Sequence, residues 1–383
     1  MVLNDINKKL KSGYTTGSAA TASAKAALIM LITGEQIDSI SVMLPTGDAY
    51  DTRIYGQIIS GNGTHQVGSD AYASCCVVKE SGDDPDITAG IKIYAKVSFC
   101  EELGVHITGG DGIGIVTRPG LDQPVGEYAI NSTPRRMIED ELINVLDEYE
   151  IERGVNVEIS APEGREIAIK TFNPHMGIEG GISIIGTTGI VKPMSTEALI
   201  DTIKLDIKMQ YSEGKDTCII VPGNYGVTFL ENKFHIDEKD IVLCSNFVGD
   251  SIRFAVDEGF KKIFFCSHIG KLIKVSGGMM NTHSKYGDRR MELMNDAFNE
   301  VIKTYQGSDN NLESRASEIS SKILNCVSTT GALDILNEIG LVKEVSEVIV
   351  SKAVKHLEDA ANHKASIQCI MYENNYGELA RNY

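Results

Sequence analysis

KTFNPHMGIEGGISIIGTTGIVKPMS, residues 170–195, is where the chain changes rhythm. Glycines, small hydroxyls and apolar β-formers crowd together here, and the apolar run 182–185 leads straight into Gly186-Thr187-Thr188-Gly189. A strand that ends in such a turn exposes backbone N–H groups and keeps side chains out of the way. That suits close approach by a cofactor with phosphate, carboxylate or ribose oxygens. The same residues equally suit a tight loop that only needs positive φ.

Upstream of this stretch the pattern mixes α and β. Thr15 or Thr16 caps a predicted helix that runs to about Ile32 and is closed by Gly34. Its Ala-rich face, Ala19, Ala20, Ala22, Ala24, Ala26 and Ala27, permits close packing or close ligand approach. Strands are predicted at 39–44, 51–59 and 71–78. The clearest strand is 91–99, where Ile91, Ile93, Ala95, Val97 and Phe99 alternate with Lys92, Tyr94, Lys96 and Ser98. A helix is predicted at 134–149, with Pro134 in its first turn, followed by a hairpin of 155–160 with 166–171.

Downstream, short apolar strands (182–185, 217–221, 241–244, 262–266) alternate with helices (195–211, 249–258). That order implies a parallel sheet with helices on both faces. Helices are predicted at 286–305, 311–326, 331–337 and 343–361, and a strand at 365–371 closes the sheet. A chain of 383 residues defaults to two domains. The expected division is an α+β N-terminal domain, 1–175, carrying Gly-rich substrate-binding loops, followed by an α/β domain with a mainly parallel sheet, 176–383.

The formal net charge of −17, with no basic stripe to offset it, argues against a nucleic-acid partner. An anionic ligand would need a local basic patch or helix N-termini against this field. No run reaches the ~20 apolar residues of a membrane span. The first residues lack the basic-then-apolar order of a secretion signal, so a cytoplasmic location is expected. The eight cysteines form no CxxC pair and read as reduced, mostly buried thiols. The eight histidines show neither HxxxH nor HExxH spacing, so no protein-bound metal is expected.

Several further blocks are too rich in Gly, Asp and Thr for routine core. They are SGYTTG (12–17), KESGDDPDITAG (79–90), TGGDGIGIVTRPGL (108–121), PVGEYAINSTPRRMI (124–138), PGNYG (222–226), SNFVG (245–249) and SHIGKLIKVSGGMMNTHS (267–284). In this order they closely resemble the CbiD family, the cobalt-precorrin-5B C1-methyltransferases of anaerobic cobalamin biosynthesis. The resemblance runs from Lys11 to about Arg290. It implies S-adenosylmethionine as methyl donor and a cobalt-containing, ring-contracted tetrapyrrole as acceptor, with the cobalt carried by the substrate. It also implies a two-domain, CbiD-like architecture. Departures fall at Ser18, Ser132 and His175-Met176, where the family commonly has other residues.

Methyl transfer from a sulfonium to carbon is an in-line displacement that rests on alignment and exclusion of water. Positioning residues are therefore expected, and no GxSxG signature is present. The cofactor is placed on Gly186, Thr187, Thr188 and Gly189, with Asn224 and Asn246 after the next two strands, where ligands gather at strand C-terminal ends. Each of these also reads as a turn former. The polycarboxylate substrate is placed on Arg118 and Arg135, on the backbone of Gly110, Gly112 and Gly114, and on Thr15 and Thr16 at the first helix N-terminus. Surface ion pairing is the plain alternative for the arginines. Lys271 follows Gly270 without the upstream glycine of a P-loop. The acidic knot Asp83-Asp84-Pro85-Asp86 reads as a turn, as a cation ligand set, or as a source of a proton acceptor at Asp84 or Asp86. His283 is a second proton acceptor. Two other functions compete: a non-catalytic corrinoid carrier, which predicts no donor site, and a phosphotransferase, which predicts nucleotide binding with Mg²⁺. A homo-oligomer and transient contacts with neighbouring pathway enzymes are further expectations.

Overall fold

A computed structural model describes residues 10–61, 71–305 and 312–383. The segment 1–9 read for a leader and the helix start at Asn311 lie outside these residues. The chain divides into two compact units at Thr196/Glu197.

In chain order the first unit holds β1 (Gly13–Tyr14), α1 (Thr16–Thr33), β2 (Ser39–Met43), β3 (Ala49–Arg53), β4 (Tyr55–Ser60), β5 (Tyr72–Val78), β6 (Lys92–Cys100), β7 (Val105–Gly109), β8 (Ile115–Val116), α2 (Ser132–Glu148), β9 (Gly154–Ser160), α3 (Gly164–Ala168), β10 (Ile178–Glu179) and β11 (Ile190–Val191). Its main sheet has the order β4-β5-β6-β9-β7, antiparallel except for β7 beside β9. Period two decides β6: Ile93, Ala95 and Val97 are buried while Lys92 and Lys96 are exposed. Helix α1 lies on the buried face, and its alanines allow the close approach in which Ser23 Oγ donates to Ile93 O at 2.8 Å. Thr15 caps α1 by accepting from Ser18 N, and Gly34 closes it in the left-handed region, as the sequence predicts.

The second unit holds α4 (Thr196–Ser212), β12 (Thr217–Val221), α5 (Asn224–Phe234), β13 (Ile241–Leu243), α6 (Val248–Glu258), β14 (Lys262–His268), α7 (Ile269–Ser276), α8 (Arg290–Thr304), α9 (Leu312–Leu324), α10 (Thr329–Glu338), α11 (Val342–Ala360), β15 (Ser366–Glu373) and β16 (Gly377–Arg381). The sheet order is β13-β12-β14-β15-β16. The first four strands are parallel and β16 returns antiparallel at the edge. One core joins Ile220, Val242, Ile263 and Phe265 to residues of α4, α6, α7, α8 and α11. Val227 and Leu230 of α5 pack with Val221, Phe264 and Tyr372 in a separate cluster.

Three expectations are corrected. The run 182–185 is not the first strand of the parallel sheet. Ile182 and Ile184 form isolated bridges to Ile113 and Ile130 inside the first unit, and the parallel sheet starts at β12. Residues 166–171 are not a hairpin strand, because the chain turns helical at Gly164, whose β-carbon position lies 2.2 Å from Gly112 O. The predicted strand 51–59 is two strands, β3 and β4, in different sheets. All eight cysteines are free, as expected. No helix among the described residues is long and apolar enough to cross a membrane.

Candidate active site

Parallel strands deliver their following loops to one edge, and helix N-termini gather there. In the second unit this edge carries a cavity of about 680 Å³, within the roughly 300–1,000 Å³ of small-molecule sites. Pro222 and Gly223 come from the end of β12, Asn246 follows β13, Ser267 and His268 end β14, and Tyr372 and Asn374 come from the end of β15. Helix α7 contributes Lys271 and Lys274, and the segment after it contributes Thr282, His283, Asp288 and Arg290.

Each polar side chain has a definable job. His268 caps α7, its Nδ1 accepting from Gly270 N at 3.1 Å, while Nε2 lies 4.0 Å from Glu373 Oε1. Burial pushes the His268 imidazole below its ordinary value, and the nearby Glu373 pulls the other way. Lys271 Nζ donates to Pro222 O at 2.7 Å and Ser245 O at 3.0 Å. Burial lowers its ammonium below the ordinary lysine value, against the pull of Cys244, with the Lys274 charge adding to the drop. Lys274, 6% exposed, donates to Thr282 O at 3.2 Å and Gly287 O at 3.5 Å. Asn246 holds the far wall: its Oδ1 accepts from Thr282 Oγ1 at 3.1 Å and its carbonyl from Thr282 N at 3.0 Å. His283 Nδ1 accepts from Lys285 N at 3.0 Å. Asp288 is gripped by Arg290 through two bonds of 2.7 and 2.6 Å, and this pairing, against a smaller burial effect, holds its carboxyl below the usual range.

Of the residues singled out from sequence, Asn246 and His283 meet in this cavity. Asn224 starts α5 between two lining residues, Gly223 and Tyr225, and is itself exposed. Lys274, Arg290 and His268 were not singled out. HIGKLIK carried the signal, since two lysines three apart in an apolar run fall on one helix face.

The remaining residues lie in the first unit. The Gly/Thr turn expected in the α/β half is tied instead to the start of α1. β1 pairs with β11, Thr15 N donates to Gly189 O at 3.1 Å, and Ser18 Oγ donates to the same carbonyl at 2.7 Å. Thr16 Oγ1 donates to Ser183 O at 3.0 Å and accepts from Ile185 N at 2.9 Å. Thr15 and Thr16 are both buried, so their hydroxyls serve the fold. Thr187 and Thr188 remain exposed.

The glycine run is a backbone crossing. Gly112, at φ +74, would put a β-carbon 1.7 Å from Ala161 O, and Gly114 N donates to Ile182 O at 2.9 Å. Both are buried. Gly110 N donates to Ile159 O at 2.8 Å. Arg118 donates to His175 O at 2.6 Å, and Arg135 to Ile130 O at 2.8 Å and Ile107 O at 3.0 Å. Both bind backbone carbonyls.

The acidic knot takes its turn reading. Asp83 Oδ2 accepts from Lys11 N at 2.6 Å and Asp84 Oδ1 from Met194 N at 2.8 Å. Asp86 pairs with the buried Lys79 and accepts from Thr88 N at 2.8 Å and Thr88 Oγ1 at 2.7 Å. Burial would raise the Asp86 carboxyl, but the bonds from Lys79 and Thr88 outweigh it and leave it below the ordinary range. A carboxylate held ionised by a buried ammonium is a poor proton acceptor. Among the described residues no group of three or more His, Cys, Asp or Glu is arranged to hold a metal ion.

The family model described as CbiD matches residues 3–193, and that of the CbiD C-terminal domain matches residues 314–383. A cobalt-precorrin-5B C(1)-methyltransferase of Ruminiclostridium cellulolyticum is 41% identical over 97% of this chain and 91% of its own length. One from a Thermoanaerobacter species is 38% identical over 98% of this chain and 96% of its own. A solved structure of a cobalamin biosynthesis protein (cbiD) from Archaeoglobus fulgidus is 25% identical, covering 72% of this chain and 83% of that one with a TM-score of 0.37. The chain belongs to the CbiD family.

Proposed function

We propose that this protein methylates C1 of cobalt-precorrin-5B to give cobalt-precorrin-6A in cobalamin biosynthesis, with S-adenosylmethionine as donor. The observation that carries the reaction is 41% identity across 97% of the chain to a relative of that name. The donor is assigned to the second unit, where the cavity at the edge of the parallel sheet offers Asn246, Ser267 and Lys274. That set is polar, cationic and backed by the N-terminus of α7, which suits a nucleoside joined to an amino acid. The two-domain arrangement characteristic of the family is part of this reading.

When bound, the donor supplies the methyl group and loses its sulfonium charge as the bond to carbon forms. The protein's own task is alignment, worth about 7–11 kcal/mol of barrier in well-oriented systems. The proton displaced from the macrocycle goes to His283, the one proton acceptor singled out from sequence that lines the cavity. Its Nδ1 is occupied by Lys285 N, which leaves Nε2 as the accepting atom. The test is calorimetric titration with S-adenosylhomocysteine, then mass analysis of cobalt-precorrin-5B after anaerobic incubation with donor and protein. Binding of both partners without a methyl-sized mass gain would overturn the reading.

A further inference from the structure

We infer that Lys271 and Lys274 of α7 form a carboxylate-binding subsite within the cavity at the sheet edge. This deepens the proposed function and rests on it. Lys274 is 6% exposed, and its bonds run to two neutral carbonyls, Thr282 O at 3.2 Å and Gly287 O at 3.5 Å. Lys271 is likewise bonded to Pro222 O and Ser245 O. Among the described residues neither ammonium is in ion-pairing contact with a carboxylate. Asp288, the acidic side chain whose charge meets that of Lys274, is already committed to Arg290 by two bonds.

A buried lysine and a half-buried one thus line one cavity, neither bonded to a carboxylate, in a chain whose net charge is −17. Carbonyl dipoles satisfy donors without neutralising charge, and Asp288, which does act on Lys274, is shared with Arg290, so a bound anion would be favoured there. An ammonium has three donors, and two on each lysine are taken, so one on each remains. Residues three apart on a helix share a face, and both lysines line the same cavity. Two donors and two positive charges match the two oxygens of a carboxylate. The N-terminus of α7, which His268 caps through Nδ1, adds positive field on the Lys271 side, while Lys274 stands in the last turn of the helix.

Both partners of the proposed reaction carry carboxylates: the amino-acid end of the donor and the side chains of the macrocycle. The experiment separates them. Wild type is titrated with S-adenosylmethionine and with its decarboxylated form, which keeps nucleoside, sulfonium and amine. Lys271→Gln and Lys274→Gln, each checked for a native circular dichroism spectrum, are titrated likewise, and KM for cobalt-precorrin-5B is measured. If the donor supplies the carboxylate, wild type prefers the intact donor by about tenfold or more and each variant abolishes the preference. If the macrocycle supplies it, donor binding is unchanged and KM for cobalt-precorrin-5B rises about tenfold or more. Should Lys274→Gln fail to fold, Lys271→Gln decides alone. Folded variants with wild-type donor preference and wild-type KM overturn the subsite. Failure of wild type to transfer a methyl group would instead overturn the function and is read separately.

Discussion

Thr15 and Gly186 stand so close that a β-carbon on Gly186 would lie 2.3 Å from Thr15 Oγ1. Gly186 also sits at φ +139, where side chains are strained. The helix cap and the Gly/Thr turn therefore lock each other in place. Gly186→Ala is expected to destabilise the protein by about 2–4 kcal/mol, from strain and overpacking together. Urea unfolding measures it, and a change under 1 kcal/mol would mean that the turn is not locked.

Asp86 carries a structural charge. Asp86→Asn leaves the buried Lys79 unpaired and should cost about 3–5 kcal/mol. Because the carboxyl lies below its ordinary range, its stabilisation is fully present above the unfolded-state value of 3.8 and is lost only as pH falls further. At a temperature where the variant is folded, kcat should stay within about threefold of wild type. A loss of about 10² or more would return Asp86 to the role of general base.

His268 makes stability pH-dependent in the neutral range. Its imidazole is held below 6.5 by burial, against the pull of Glu373, so the unfolded chain takes up the proton first. The contribution is complete above about pH 6.5 and fades as pH falls through the lower folded-state value. Unfolding free energies at pH 7.5, 6.5 and 5.5 should fall more steeply for wild type than for His268→Asn, which keeps a capping acceptor. Parallel slopes would refute this origin.

His283 tests the assigned proton route. His283→Gln should lower kcat by about 10²-fold while S-adenosylhomocysteine binds as before. Unchanged kcat would move the proton to solvent or substrate.

What the sequence revealed, and what it hid, follows from the range of each interaction. The alternation Ile91, Ile93, Ala95, Val97 and the caps Thr15 and Gly34 are local signals, and β6 and α1 formed where they indicated. Strand β12 was legible to the residue because a short apolar run between helical segments has few other homes. Gly112 looked like a ligand loop because its reason for being glycine, the Ala161 carbonyl, arrives from another part of the chain. The Gly186–189 turn belongs to the other unit for the same cause: its partners, Thr15 and Ser18, lie at the other end of that unit's sequence. Lys271 was noticed only as a failed P-loop lysine. What marks it and Lys274, carbonyl partners and no bonded carboxylate among the described residues, exists only once the ends of β12 and β13, α7 and the segment after it are assembled.

The most direct measurement is the mass of cobalt-precorrin-5B after anaerobic incubation with this protein and S-adenosylmethionine carrying a deuterated methyl group. A single labelled methyl at C1, formed one for one with S-adenosylhomocysteine, is the expected result. Donor and macrocycle both bound, with the tetrapyrrole mass unchanged, would contradict the assignment.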